Sequence, residues 1–145
     1  MISKRRGREF AMQLLYSVEI GKEAFATALK AMANDPELPA DAKEYGAILA
    51  RQVLEHQDDI DAKIKSTSSH WDIERIAVVD RLIISCAAAE LMYFPDIPTG
   101  VAINEAVDIA KKFSTGESSR FVNGVLDAIA KSSPNSIQRN PNNAQ

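Results

Sequence analysis

The stretch R-R-G-R-E-F-A-M-Q-L-L-Y-S-V, Arg5 to Val18, places Phe10, Ala11, Leu14, Leu15 and Val18 at i, i+1, i+4, i+5 and i+8. That spacing gathers the apolar side chains on one face of an α-helix. At about 100° per residue, Arg5, Glu9, Gln13 and Tyr16 fall on the opposite side. One face of this helix is therefore built for burial, and the other presents cations, an amide and a phenol ring.

Outward from this helix, the same periodicity governs the rest of the chain. Gly21 marks its stop. A shorter pattern around Phe25, Leu29 and Met32 follows, and the stretch 34–39, with two prolines, reads as a loop. Tyr45, Leu49, Val53, Ile60 and Ile64 predict one long helix over about 40–66. The cluster Ser66-Thr67-Ser68-Ser69 is the best candidate break, followed by a short turn near Ile73–Arg75. A helix from about Asp80 to Phe94 is apolar on most sides, which puts it at the centre of the core. Pro95 and Pro98 end it, because proline cannot continue a helix. Val101, Ala102, Ala106, Ile109 and Ala110 outline a helix stopping near Phe113. Phe121, Val122, Val125, Leu126 and Ile129 outline the last, with Ser118 or Glu117 placed to cap it. Residues 132–145, rich in asparagine with little to bury, are expected to be disordered. No alternating strand pattern or hairpin signal occurs, so the expected class is all-α with about seven helices.

At 145 residues the chain is long enough to bury a core without staples. No run approaches the roughly 18 to 20 apolar residues of a membrane-spanning helix, and the basic N-terminus lacks the apolar region of a secretory signal. A single cysteine, Cys86, allows no internal disulfide and suits a reducing compartment, so the expected location is cytoplasmic. The net charge of -3 hides an asymmetry. Lys4, Arg5, Arg6 and Arg8 give residues 1–8 four basic side chains and no acidic one, whereas Asp35, Glu37, Asp41, Glu44, Glu55, Asp58, Asp59 and Asp61 crowd residues 34–62 against only Lys43 and Arg51. Local potential decides where a polyanion docks, and the acidic segment reads as a solvated face.

Catalytic and metal chemistry find little support. His56 and His70 stand apart, and Cys86 lies in an apolar run where a buried small hydrophobe is the ordinary reading. The glycines are too scattered for a phosphate loop, and Asp58, Asp59 and Asp61 lack the spacing of a calcium loop. Neither a cofactor nor an enzymatic role is expected. What remains is the polar face of the first helix. Arginine forks onto phosphate, and tyrosine and glutamine stack on or hydrogen-bond unpaired bases, as in single-stranded RNA recognition. The competing structural role is a solubilising charge cluster. A second set comprises Lys111, Lys112, Phe113, Arg120 and Phe121, where Phe121 also fits its helix's core stripe. Gly124 in mid-helix costs about 1 kcal/mol against alanine, pointing to close helix approach or ligand access.

Three blocks then resemble the NusB family of bacterial transcription antitermination factors. These are Arg5 to Tyr16, V-A-I-N-E-A-V-D-I-A-K-K-F from Val101 to Phe113, and R-F-V-N-G-V-L from Arg120 to Leu126. The resemblance implies a single RNA-binding domain over 1–131, made of two roughly perpendicular three-helix bundles at about 4–66 and 71–131. It implies single-stranded boxA RNA of ribosomal RNA leader transcripts as ligand, and as partner the small-subunit ribosomal protein that acts as NusE. In that role the chain would help RNA polymerase read through terminators. Carried onto matching positions, the RNA face comprises Arg5, Arg6, Arg8, Gln13, Tyr16, Lys112, Phe113, Arg120 and Phe121. Glu117 would moderate RNA affinity by like-charge repulsion. The partner face would use Glu74, Asp80, Ile83 and Ile84. The family's Leu-Arg-x-Ala-x-Tyr-Glu-Leu pattern appears here as Ile84 to Leu91, with Ser85 for the arginine and Ala89 for the tyrosine, near the expected partner surface. Two alternatives stay open. One is the RNA-binding module of a ribosomal RNA cytosine methyltransferase, which requires a longer chain carrying a Rossmann unit. The other is a homodimer that masks its basic face.

Overall fold

A computed structural model of the protein describes residues 4–67 and 76–132. Among them run seven helices and no strand: α1 (Lys4–Glu19), α2 (Phe25–Met32), α3 (Ala40–Glu55), α4 (Gln57–Ser66), α5 (Val78–Tyr93), α6 (Thr99–Phe113) and α7 (Gly116–Ser132). None of these helices is long and apolar enough to cross a membrane. The turn expected near Ile73–Arg75 and the tail after Ser132 lie outside the described residues. The chain divides into two compact units, Met1–Glu55 and His56–Gln145.

In the first unit α1 packs chiefly on α3 and more lightly on α2. The apolar stripe read from the sequence is buried along most of its length: Phe10, Ala11, Leu14 and Leu15 are at most 2% exposed, as are Leu49, Ala50 and Val53 of α3, while Val18 at its end is half-buried. Each such fully buried Leu or Phe contributes about 1.5–3 kcal/mol of transfer free energy. The helices approach closely because Gly7 and Gly46 face each other. Helix α2 is eight residues long and has no side-chain N-cap bond. A helix that short is marginal alone, so packing through the fully buried Ala28 sustains it. The proline-rich connection after it forms a turn in which the Glu37 N–H donates to Asp35 Oδ1 at 2.9 Å.

In the second unit α5 is the central helix, as its all-round apolarity predicted: every residue from Leu82 to Leu91 is buried. Helices α6 and α7 pack on it and on each other, joined by Ser114 and Thr115 alone. Helix α4 joins more lightly through Ile60 and Ile64.

Three expectations are corrected. The helix foreseen over 40–66 is broken at His56, whose φ of -117° and ψ of 24° leave helical geometry. Its ring stacks on Tyr93 at 4.2 Å between centroids. Apolar periodicity continues across such a break, so spacing alone does not reveal it. Helix α7 starts a turn earlier than its apolar stripe, and its N-terminal cap is Thr115 rather than Ser118 or Glu117: the Ser118 N–H donates to Thr115 Oγ1 at 3.2 Å. Finally, Gly124 mediates no close helix approach. It is exposed, and a Cβ there would meet nothing within 4 Å.

Candidate nucleic-acid interface

On α1 the buried stripe turns the polar face outward. Arg6 and Gln13 are exposed, Tyr16 is 42% exposed, and Arg5 is half-buried. Arg6, Gln13 and Tyr16 are spaced i, i+7 and i+10, so they form a row about three turns long. Such a row offers a guanidinium for phosphate, an amide for base edges and a ring for stacking.

Arg8 departs from this row. It is 5% exposed, with its guanidinium carbon 5.8 Å from the centroid of the Tyr45 ring on α3. Lys4 Nζ lies 5.4 Å from the same centroid. Arg8 thus belongs to the α1–α3 packing, where cation–π attraction is strengthened by desolvation. The sequence showed Tyr45 only as a core position, because its role in receiving two cations depends on a helix almost forty residues away from them.

Beside the row opens a cleft of about 490 Å³, bordered by Arg6, Glu9, Phe10 and Gln13 of α1 and by Met32 and Asp35. The sequence shows Met32 only as an apolar helix position and Asp35 only as part of the acidic segment, since only the packing of α2 beside α1 brings them to Arg6 and Gln13.

The remaining residues expected on an RNA face lie on the α6–α7 hairpin. Lys111, Lys112 and Arg120 are exposed, Phe113 is 37% exposed and Phe121 half-buried. The two-residue connection holds the end of α6 and the start of α7 at one end of this unit, with the Ser114 and Ser118 hydroxyls 2.9 Å apart. Lys112 Nζ sits 5.2 Å from the Phe113 ring centroid. Lys111 and Lys112 also complement the C-terminal dipole of α6, and exposed Glu117 complements the N-terminal dipole of α7.

The residues expected to meet a protein partner are placed differently. Glu74 lies outside the described residues. Asp80 is 6% exposed, Ile83 3% and Ile84 0%. The two isoleucines are core residues of α5, and a side chain with no exposed surface has nothing to offer a partner. Ser85 and Ala89 are likewise fully enclosed, so both departures from the family pattern fall in the interior.

Fold and surface together define an all-helical protein with cationic and aromatic side chains on exposed helix faces. The model of the NusB family matches residues 5–131, and the chain belongs to that family. It is 42% identical to the transcription antitermination protein NusB of Geobacter sulfurreducens, over 92% of this chain and 98% of that one. It is 40% identical to the NusB of Chloroherpeton thalassium over 88% of this chain, which spans 61% of that longer protein. Among solved structures, T. maritima NusB aligns with a TM-score of 0.81 at 35% identity, covering 91% of this chain and 94% of that one. The crystal structure of antitermination factors NusB and NusE in complex with dsRNA aligns with a TM-score of 0.81 at 30% identity, covering 92% and 100%.

Proposed function

We propose that this chain is a non-catalytic transcription antitermination factor acting in the cytoplasm. It binds boxA-type single-stranded RNA of ribosomal RNA leader transcripts together with the ribosomal protein acting as NusE, and so promotes read-through by RNA polymerase. The observation that carries this reading is the likeness, over 92% of the chain, to a NusB in complex with NusE and dsRNA, joined to the exposed Arg6, Gln13 and Tyr16 row, whose amide and ring suit unpaired bases. Arg5 and Arg6 on α1, with Lys112 and Arg120 on the hairpin, supply phosphate contacts; Tyr16, Phe113 and Phe121 supply stacking surfaces. Glu117 weakens RNA binding by repulsion. Arg8 acts from within, holding α1 to α3.

The decisive experiment titrates the chain with boxA-type and scrambled single-stranded RNA, alone and with the ribosomal partner, at several salt concentrations. Preference for boxA, strengthened by the partner, is the expected result. Equal binding of both RNAs with the partner present would sink the proposal. Gel filtration with and without RNA separates this reading from the alternative of a homodimer that masks its basic face.

A further inference from the structure

The cleft beside α1 has a composition that the phosphate and stacking row does not explain. Its exposed lining is mostly polar, with Phe10 almost fully buried beneath it. The apolar contact is Met32, held in place by the Ser17 hydroxyl, which donates to the Met32 sulfur at 3.8 Å. A flat aromatic ligand gains from contact with that polarisable sulfur. Its rim carries both signs of hydrogen-bonding group. Arg6 and Gln13 stand two turns apart on α1 with Glu9 between them, and Asp35 stands on the loop after α2. The bond from the Glu37 N–H to Asp35 Oδ1 fixes that carboxylate's direction and leaves its second oxygen as an acceptor. The volume, about 490 Å³, lies in the range of about 300–1,000 Å³ common to small-ligand pockets.

We propose that this cleft receives a guanine base turned out of the bound RNA strand. The inference rests on the RNA-binding reading above and adds a base-specific site to it. Arg6 and Gln13 belong to both the row and the cleft rim, so a strand lying along α1 passes the cleft mouth. Of the four bases, guanine presents adjacent N–H donors on its Watson–Crick edge, matching a carboxylate, and the O6/N7 acceptor pair, matching an arginine fork. Adenine and cytosine bring a single amino group, and uracil a single imide N–H.

The test uses the full chain and a boxA-type single-stranded RNA with one guanosine, beside matched RNAs carrying inosine or an abasic site at that position. Two variants probe the cleft. Ala31→Leu adds bulk to the lining from an exposed position on α2. Asp35→Asn keeps an oxygen for the Glu37 N–H and removes the charge. Each variant is expected to bind the guanosine RNA about 5- to 150-fold more weakly, the range of one good bidentate base contact. Neither variant should lose further affinity on the abasic RNA. RNA carrying 6-thioguanosine should photocrosslink to Met32. Unchanged guanosine binding by both variants, while Arg5→Ala weakens every RNA, would overturn the cleft site and leave the RNA-binding reading standing. Equal tightening of all RNAs by Asp35→Asn would also overturn it, because the carboxylate would then act only as a repelling charge. Failure of the unaltered chain to bind any of these RNAs would remove both readings.

Discussion

Gly46 of α3 lies so close to Gly7 of α1 that a Cβ built on Gly46 would stand 2.6 Å from the Gly7 carbonyl oxygen and 2.7 Å from the Phe10 ring. The first atom is backbone and cannot yield without moving a helix. The α1–α3 contact therefore depends on a missing side chain, and this contact sets where the polar row of α1 stands.

Gly46→Ala is accordingly expected to destabilise the protein by about 1–3 kcal/mol, the ordinary cost of overpacking. Gly124→Ala should do the reverse. Its Cβ meets nothing within 4 Å, so it gains about 0.5–1 kcal/mol of helix propensity. Urea unfolding of the two variants checks both signs, and a stable Gly46→Ala would refute the close approach.

The arginines of α1 should separate into two behaviours. Arg5→Ala and Arg6→Ala each lower RNA affinity and reduce the slope of log K against log salt by about 0.7, the loss of one phosphate contact on a single strand. Arg8→Ala leaves that slope nearly unchanged and costs about 1–2 kcal/mol of folding stability, because it removes a buried cation from the Tyr45 ring. Salt-dependent titrations beside urea melts distinguish them. An Arg8→Ala variant with intact stability and a reduced slope would return Arg8 to the RNA face.

Ser85 is fully buried in α5, and its hydroxyl finds no hydrogen-bond partner among the described residues. Ser85→Ala is thus expected to stabilise the fold by about 1 kcal/mol, since it removes an unsatisfied polar group and improves helix propensity. A clear loss of thermal stability in this variant would mean that the hydroxyl is satisfied after all.

Burial pushes the Tyr93 phenol above its ordinary value, and the negative charge of Asp59 acts in the same direction. A phenol whose pKa is raised on folding favours the folded state fully below the unfolded value, near 10. That contribution is lost as pH rises through the folded value. Stability should therefore fall above about pH 10, and Tyr93→Phe should flatten the decline. Urea midpoints measured from pH 8 to 11 on both proteins test the sign.

Apolar spacing at a period near 3.6 determined the helical class and the buried stripe of α1, because both follow from local geometry along one segment. The all-round apolarity of Leu82 to Leu91 likewise announced the central helix. The break at His56 was not legible, since the apolar spacing simply continues across it. The inward turn of Arg8, the enclosure of Ile83 and Ile84, and the cleft that brings Met32 and Asp35 to Arg6 and Gln13 were decided only by tertiary packing. A sequence states what each residue can do, whereas burial and ring contacts depend on which distant helix lies beside it. The glycines show the same division: Gly7, Gly46 and Gly124 are alike on paper, and only the neighbouring backbone closes Gly46 to a side chain, crowds Gly7 and leaves Gly124 open.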